Sequence, residues 1–147
     1  MDGRVMAVDY GEARTGVAVS DQTRSIAGDA WTIVERDRDA LAREIAAEAA
    51  RRGVSLIIVG FPRNMDGSLG ERAKRSSEFA DTIRAAAGLE VVLWDERLTT
   101  VGAHRILTTV GRYGKKRKNT VDAVAASLIL EGYLNRRGAG DGARPAP

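Results

Sequence analysis

The chain has 147 residues, 44% hydrophobic and 29% charged, with a formal net charge of +3 and a pI near 9.6. It has no cysteine, which excludes disulfides, thiolate metal sites and cysteine nucleophiles, and its lone His104 leaves no histidine cluster for a metal or a charge-relay triad. No apolar run reaches membrane-span length and the amino terminus lacks a signal-peptide pattern, so a cytoplasmic protein without membrane contact is expected.

In chain order, residues 4–10 and 15–20 are β-like and separated by a glycine-bearing turn, which reads as a hairpin, and AWTIVE at 30–35 supplies a third strand. An alanine-rich helix runs from Asp37 to Arg52, with Leu41, Ile45 and Ala49 on one face and Gly53 placed to end it. SLIIVG at 55–60 is continuously apolar, as a parallel strand covered on both faces would be, and EVVLW at 90–94 repeats the pattern. Between them a helix over 69–87 carries Phe79, Ile83 and Ala87 at four-residue intervals, and helices from Thr99 to Val110 and Thr120 to Arg136 complete an α/β order βββαβαβαα. One domain over residues 1–136 is expected, followed by a disordered tail over 137–147, where RGAGDGARPAP offers little to bury.

Three acidic residues stand at the edges of apolar segments. Asp9 closes the strand RVMAVD; within VDYGEARTGVAVS it reads as a metal ligand, as part of a phosphate-binding hairpin, or as a polar turn. Asp95 and Glu96 follow EVVLW, where ligand sites on open α/β sheets lie, which makes Glu96 a candidate ligand; pairing with Arg97 or capping the helix from Thr99 is the plainer alternative. Asp122 lies in KNTVDAVAASLIL, where Val121, Ala125, Leu128 and Ile129 form the expected apolar face, Asn119 is a possible cap and Asp122 falls in the first turn. With few competing ligand types, three carboxylates suit magnesium or manganese, and phosphodiester hydrolysis is the chemistry such ions serve.

Two loops complete the candidate site. GRYGKKRK carries Arg112, Lys115, Lys116, Arg117 and Lys118 with no acid among them, which suits phosphate contacts as well as a solvated loop, and Tyr113 is placed to stack on a base. GFPRNMDG follows a buried strand; Arg63 and Asn64 are its candidate binding residues, while Met65 and Gly67 serve backbone geometry. His104 is assigned no role.

Taken together, VDYGEARTGVAVSD, IIVGFPRNMDGS, VVLWDERLTT and KKRKNTVDAVAASLILEGYL resemble the YqgF family, also called RuvX, over residues 4 to about 135. The resemblance implies an RNase H-like fold, a mixed five-stranded sheet flanked by helices whose second strand runs antiparallel. It implies that Asp9, Glu96 and Asp122 are the catalytic, metal-binding carboxylates, carried over from VDYG, DER and TVDAVA. Related resolvases often gather four carboxylates where this chain offers three, and relatives carry a proline where it has Glu71. Family members are described as nucleases that process the 5′ end of pre-16S ribosomal RNA, a step of ribosome biogenesis, and as Holliday junction resolvases that cut four-way DNA. Ribosomal RNA processing is the favoured expectation, because a compact domain without an obvious base-reading element suits structured nucleic acid recognised by shape and phosphates. The alternatives are junction cleavage, which a two-fold homodimer would serve, and nucleic-acid binding without catalysis. An actin-like ATPase, whose phosphate-binding hairpin is similar, would need a second domain for which the chain is too short.

Overall fold

The computed structural model describes residues 3–62, 64, 66–96 and 117–139, with side chains described from 121 to 136 in the last span. The strands are β1 (Arg4–Asp9), β2 (Arg14–Ser20), β3 (Ala27–Val34), β4 (Val54–Phe61) and β5 (Glu90–Asp95), and the helices are α1 (Arg38–Arg52), α2 (Glu71–Ala87) and α3 (Arg117–Ala139). Among the described residues they form one five-stranded sheet in the order β3-β2-β1-β4-β5. β2 is antiparallel to both neighbours, while β1, β4 and β5 run parallel. This is the mixed sheet expected. β3 begins at Ala27, earlier than the apolar run AWTIVE implied, because its first residues pair with β2 although most are exposed.

The period of two along each strand divides the core between the two faces of the sheet. Met6, Val8, Val17, Ile57 and Val59 point to the face covered by α1 and α2, where Leu41, Ile45, Ala49, Phe79 and Ile83 meet them. Val5, Ala7, Ala18, Leu56, Ile58 and Trp94 point to the opposite face and pack against Ala126, Ile129, Leu130, Tyr133 and Leu134 of α3. Continuous apolar strands are therefore needed in the middle of the sheet. α1 is capped by the Asp37 side chain, which accepts from the Ala40 N–H at 2.9 Å, and ends at Gly53.

α3 departs from expectation in two ways. It starts at Arg117, so Asn119 is its third residue rather than its cap and Asp122 lies beyond the first turn. Its buried stripe is Ala123, Val124, Ala126, Ile129, Leu130, Tyr133 and Leu134, whereas Val121 is 51% exposed. Apolar identity alone did not fix the phase, since Val121 lies off the side turned to the sheet. The expected helix from Thr99 to Val110 and residues 140–147 of the expected tail lie outside the described residues, whereas residues 137–139, expected in the tail, continue α3. Among the described residues, no helix is long and apolar enough to cross a membrane.

α3 sits unusually close to β2. A Cβ added at Gly16 would overlap the carbonyl oxygen of Asp122, and backbone on both sides leaves nothing to yield cheaply. Gly16→Ala is therefore expected to destabilise the fold by about 1–3 kcal/mol, the usual cost of overpacking, read as a lower denaturant midpoint at unchanged slope.

Candidate active site

Asp9 is the last residue of β1 and follows Val5 and Ala7 in the alternation that faces α3. Across the ladder it stands opposite Gly16, and Gly16 is where the backbone of Asp122 settles on the sheet. The same missing side chain thus lets α3 approach and brings Asp122 beside Asp9.

Glu96 reaches this place from the other side. It follows β5, whose Trp94 and Asp95 pair with Gly60 and Phe61 of β4. A Cβ at Gly60 would overlap Glu96 Oε2 and stand 2.6 Å from Ile129 Cδ1, so the Glu96 carboxylate and the tip of Ile129 occupy the space that the missing side chain leaves. Oε2 is shielded from solvent there.

The electrostatics show that the carboxylates share one environment. Burial lifts Asp9 from its ordinary 3.8 to about 6; Arg72 opposes the rise and Asp122 adds to it. Glu96 is lifted from 4.5 to about 7, again chiefly by burial, with Asp9 and Asp95 raising it and Arg72 opposing. Asp9 is thus coupled both to Glu96 and to Asp122. Asp122 has a partner of its own: Arg14 Nε donates to its Oδ2 at 2.7 Å.

Among the described residues, no three acidic or imidazole side chains are gathered tightly enough to enclose an ion unaided. The donor set is nonetheless all oxygen, half-buried and mutually repelling. Such a set suits a hard cation that keeps part of its water shell and takes only one or two carboxylates from the protein at a time.

The surroundings include residues that the motifs did not single out. Arg72, in the first turn of α2, acts on both Asp9 and Glu96, and Arg14 holds Asp122. Both lie within quoted or adjoining motifs, but among 23 basic residues nothing in their local pattern marks them. Tyr10 projects to the opposite face and stacks on Phe79 of α2 at 4.3 Å, which anchors the chain immediately after Asp9. Asn64 organises the loop after β4: its N–H donates to the Ser68 carbonyl at 3.0 Å, its carbonyl accepts from the Gly67 N–H at 2.8 Å, and its Nδ2 donates to Ser68 Oγ at 3.0 Å. Arg63, Met65, Arg97, His104, Arg112, Tyr113, Lys115 and Lys116 lie outside the described residues. Arg117 and Lys118 open α3, their side chains likewise outside the description.

A mixed sheet in this order, with acidic residues at the ends of β1 and β5, defines an α/β domain of the RNase H-like class. The structure of T. thermophilus RuvC in complex with a Holliday junction substrate has this fold: its TM-score is 0.58 at 15% identity, over 92% of this chain and 96% of that one. The chain belongs to the RuvX family, described as Holliday junction resolvase, whose profile matches residues 3–136. A relative from Halothermothrix orenii, named "Putative pre-16S rRNA nuclease", is 43% identical over 90% of this chain and 94% of its own length. One of the same name from Acetivibrio thermocellus is 42% identical over 92% of this chain and 97% of its own.

The raised carboxyls carry a stability consequence. Asp9 holds its proton more tightly folded than unfolded, so its contribution favours folding below pH 3.8 and is lost as pH rises through about 6. Removing the charge should relieve that cost. In cation-free buffer at pH 8, Asp9→Asn is expected to be more stable than the wild type by on the order of 1–3 kcal/mol, and so to unfold at higher temperature, with the gain fading towards pH 4. Scanning calorimetry at the two pH values checks it; an equal or lower midpoint at pH 8 contradicts it.

Proposed function

We propose that the chain is a metal-dependent nuclease that hydrolyses phosphodiesters at the 5′ end of pre-16S ribosomal RNA, as one cytoplasmic catalytic domain over residues 1–136. The observation that carries this reading is the coupled, half-buried carboxylate pair Asp9 and Glu96 at the carboxyl edge of the parallel strands. It is supported by membership of the RuvX family and by the rRNA-nuclease name of relatives that match over nearly their full length.

In this reading Asp9, Glu96 and Asp122 hold Mg2+ or Mn2+. When bound, such ions activate a water and offset charge on the leaving oxygen. The chain's own contribution is to keep like charges together in a poorly solvated place, so that their repulsion is relieved when a cation enters. Arg72 keeps part of that repulsion in check and gives the site a fixed positive charge. The water oxygen bonds to phosphorus and gives up one proton as the ester P–O bond breaks, and the departing oxygen takes up one proton, so that one water is consumed per bond cut. Arg63, Arg112, Lys115, Lys116, Arg117 and Lys118 contact backbone phosphates without reading sequence. Asn64 shapes the loop that carries Arg63.

The description of the family favours a second reading, cleavage of four-way DNA junctions by a homodimer that presents two sites. Incubating the protein with precursor rRNA and with a four-way junction, side by side in Mg2+ or Mn2+, separates the two; cleavage of the junction alone overturns the favoured substrate.

Asp9→Asn and Glu96→Gln should each lower cleavage by at least ~100-fold while leaving nucleic-acid binding largely intact, because they remove a ligand but little phosphate-contacting surface. Cleavage retained by Asp9→Asn would sink the mechanism. Replacing Lys115, Lys116 and Lys118 with alanine should weaken binding to any sequence and reduce the slope of log affinity against log salt by about 2 to 3. An unchanged slope places those lysines away from phosphate.

A further inference from the structure

The Arg14–Asp122 pair joins residues 108 positions apart at the edge of the site. Its donor is held at the backbone. The residue after Arg14, Thr15, is fully buried; its Oγ1 accepts from the Gly11 N–H at 3.2 Å and donates to the Gly11 carbonyl at 3.3 Å. Arg14 itself pairs with Val34 in the β2–β3 ladder. Two residues further along the same face is Gly16, on which the Asp122 backbone rests and which faces Asp9 across the ladder. Arg14, Gly16 and Asp9 therefore form one rigid corner of the sheet, and Asp122 is fitted into it twice: through its backbone at Gly16 and through its carboxylate at Arg14.

The two fittings do different work. The close approach at Gly16 fixes where α3 lies, but the Asp122 side chain keeps its rotamer freedom and is repelled by Asp9. A guanidinium Nε–H at 2.7 Å selects one orientation by a directional, charge-assisted bond to one carboxylate oxygen. That bond engages Oδ2, and a carboxylate has a second oxygen with which to meet a cation. Hydrogen-bonded partners behind metal-binding carboxylates serve this purpose in general.

We infer that Arg14 is a positioning residue for the cation site: it orients Asp122 so that the third carboxylate is presented toward Asp9 before any ion arrives. This rests on the reading of Asp9, Glu96 and Asp122 as cation ligands. The opposite arrangement, in which Arg14 sequesters Asp122 and competes with the ion, predicts an effect of opposite sign.

The test is Mn2+ binding to the intact protein without nucleic acid, measured by calorimetry for the wild type, Arg14→Gln, Arg14→Lys, Asp9→Asn, Asp122→Ala and the Arg14→Gln/Asp122→Ala double variant. Arg14→Gln should weaken Mn2+ binding by roughly 10-fold to 100-fold, and Arg14→Lys should restore only part of it, because an ammonium supplies the charge without the directional Nε–H. In the Asp122→Ala background the Arg14 substitution should have no further effect, since Arg14 acts through Asp122. A lesion that merely loosens the fold would lower affinity in both backgrounds and lower the unfolding midpoint in chelator, so additive losses overturn the inference. Unchanged or tighter Mn2+ binding by Arg14→Gln overturns it as well, the tighter case by showing competition. If Asp9→Asn binds Mn2+ as well as the wild type, the cation-site reading itself fails and takes this inference with it; if Asp9→Asn binds weakly while Arg14→Gln does not, only the role of Arg14 is lost.

Discussion

The close approach of α3 to the sheet is the constraint from which the rest of the site follows. With no side chain at position 16, the backbone at Asp122 rests directly on β2, and with none at position 60, Glu96 and Ile129 share the space above β4. Three acidic groups far apart in the chain are thereby brought to one edge of the sheet. Their proximity is unfavourable in itself: burial and mutual repulsion raise Asp9 and Glu96 well above ordinary carboxyls. The apolar packing of α3, through Ala126, Ile129, Leu130, Tyr133 and Leu134, holds the helix where that repulsion must be borne. Local strain sustained by a well-packed surrounding is a common property of functional sites.

Much of this was legible in the sequence because the sheet writes its own signature. A parallel strand covered on both faces has to be apolar throughout, so SLIIVG and EVVLW announce themselves, and a carboxylate just past such a run is conspicuous. That is why Asp9 and Glu96 could be singled out before the fold was in view. Helices α1 and α2 were legible for a similar reason, since Leu41, Ile45, Phe79 and Ile83 repeat at helical spacing and are all buried. Family resemblance, rather than periodicity, supplied the strand order.

What escaped has a physical reason in each case. The register of α3 on the sheet is set by contacts with strands distant in sequence, and Val121 and Ala125 are as apolar as their buried neighbours. Arg14 and Arg72 are two of 23 basic residues, and their importance lies in which carboxylates they meet across the fold. Gly16 and Gly60 look like ordinary strand glycines until the atoms that occupy the place of their side chains are known. Partners brought together by tertiary packing leave little trace in a local pattern.

The stacking of Tyr10 on Phe79 has a consequence of its own. The three carboxylates all belong to the α3 side of the sheet, yet the residue next to Asp9 is anchored in the other half of the interior. Disturbance of the α1–α2 layer is therefore transmitted to Asp9 through a single peptide unit, beside the influence that Arg72 of α2 exerts on both Asp9 and Glu96. A lineage that repacked that layer would be shifting Asp9 relative to Glu96 and Asp122, so drift in one hydrophobic compartment is felt among the carboxylates of the other.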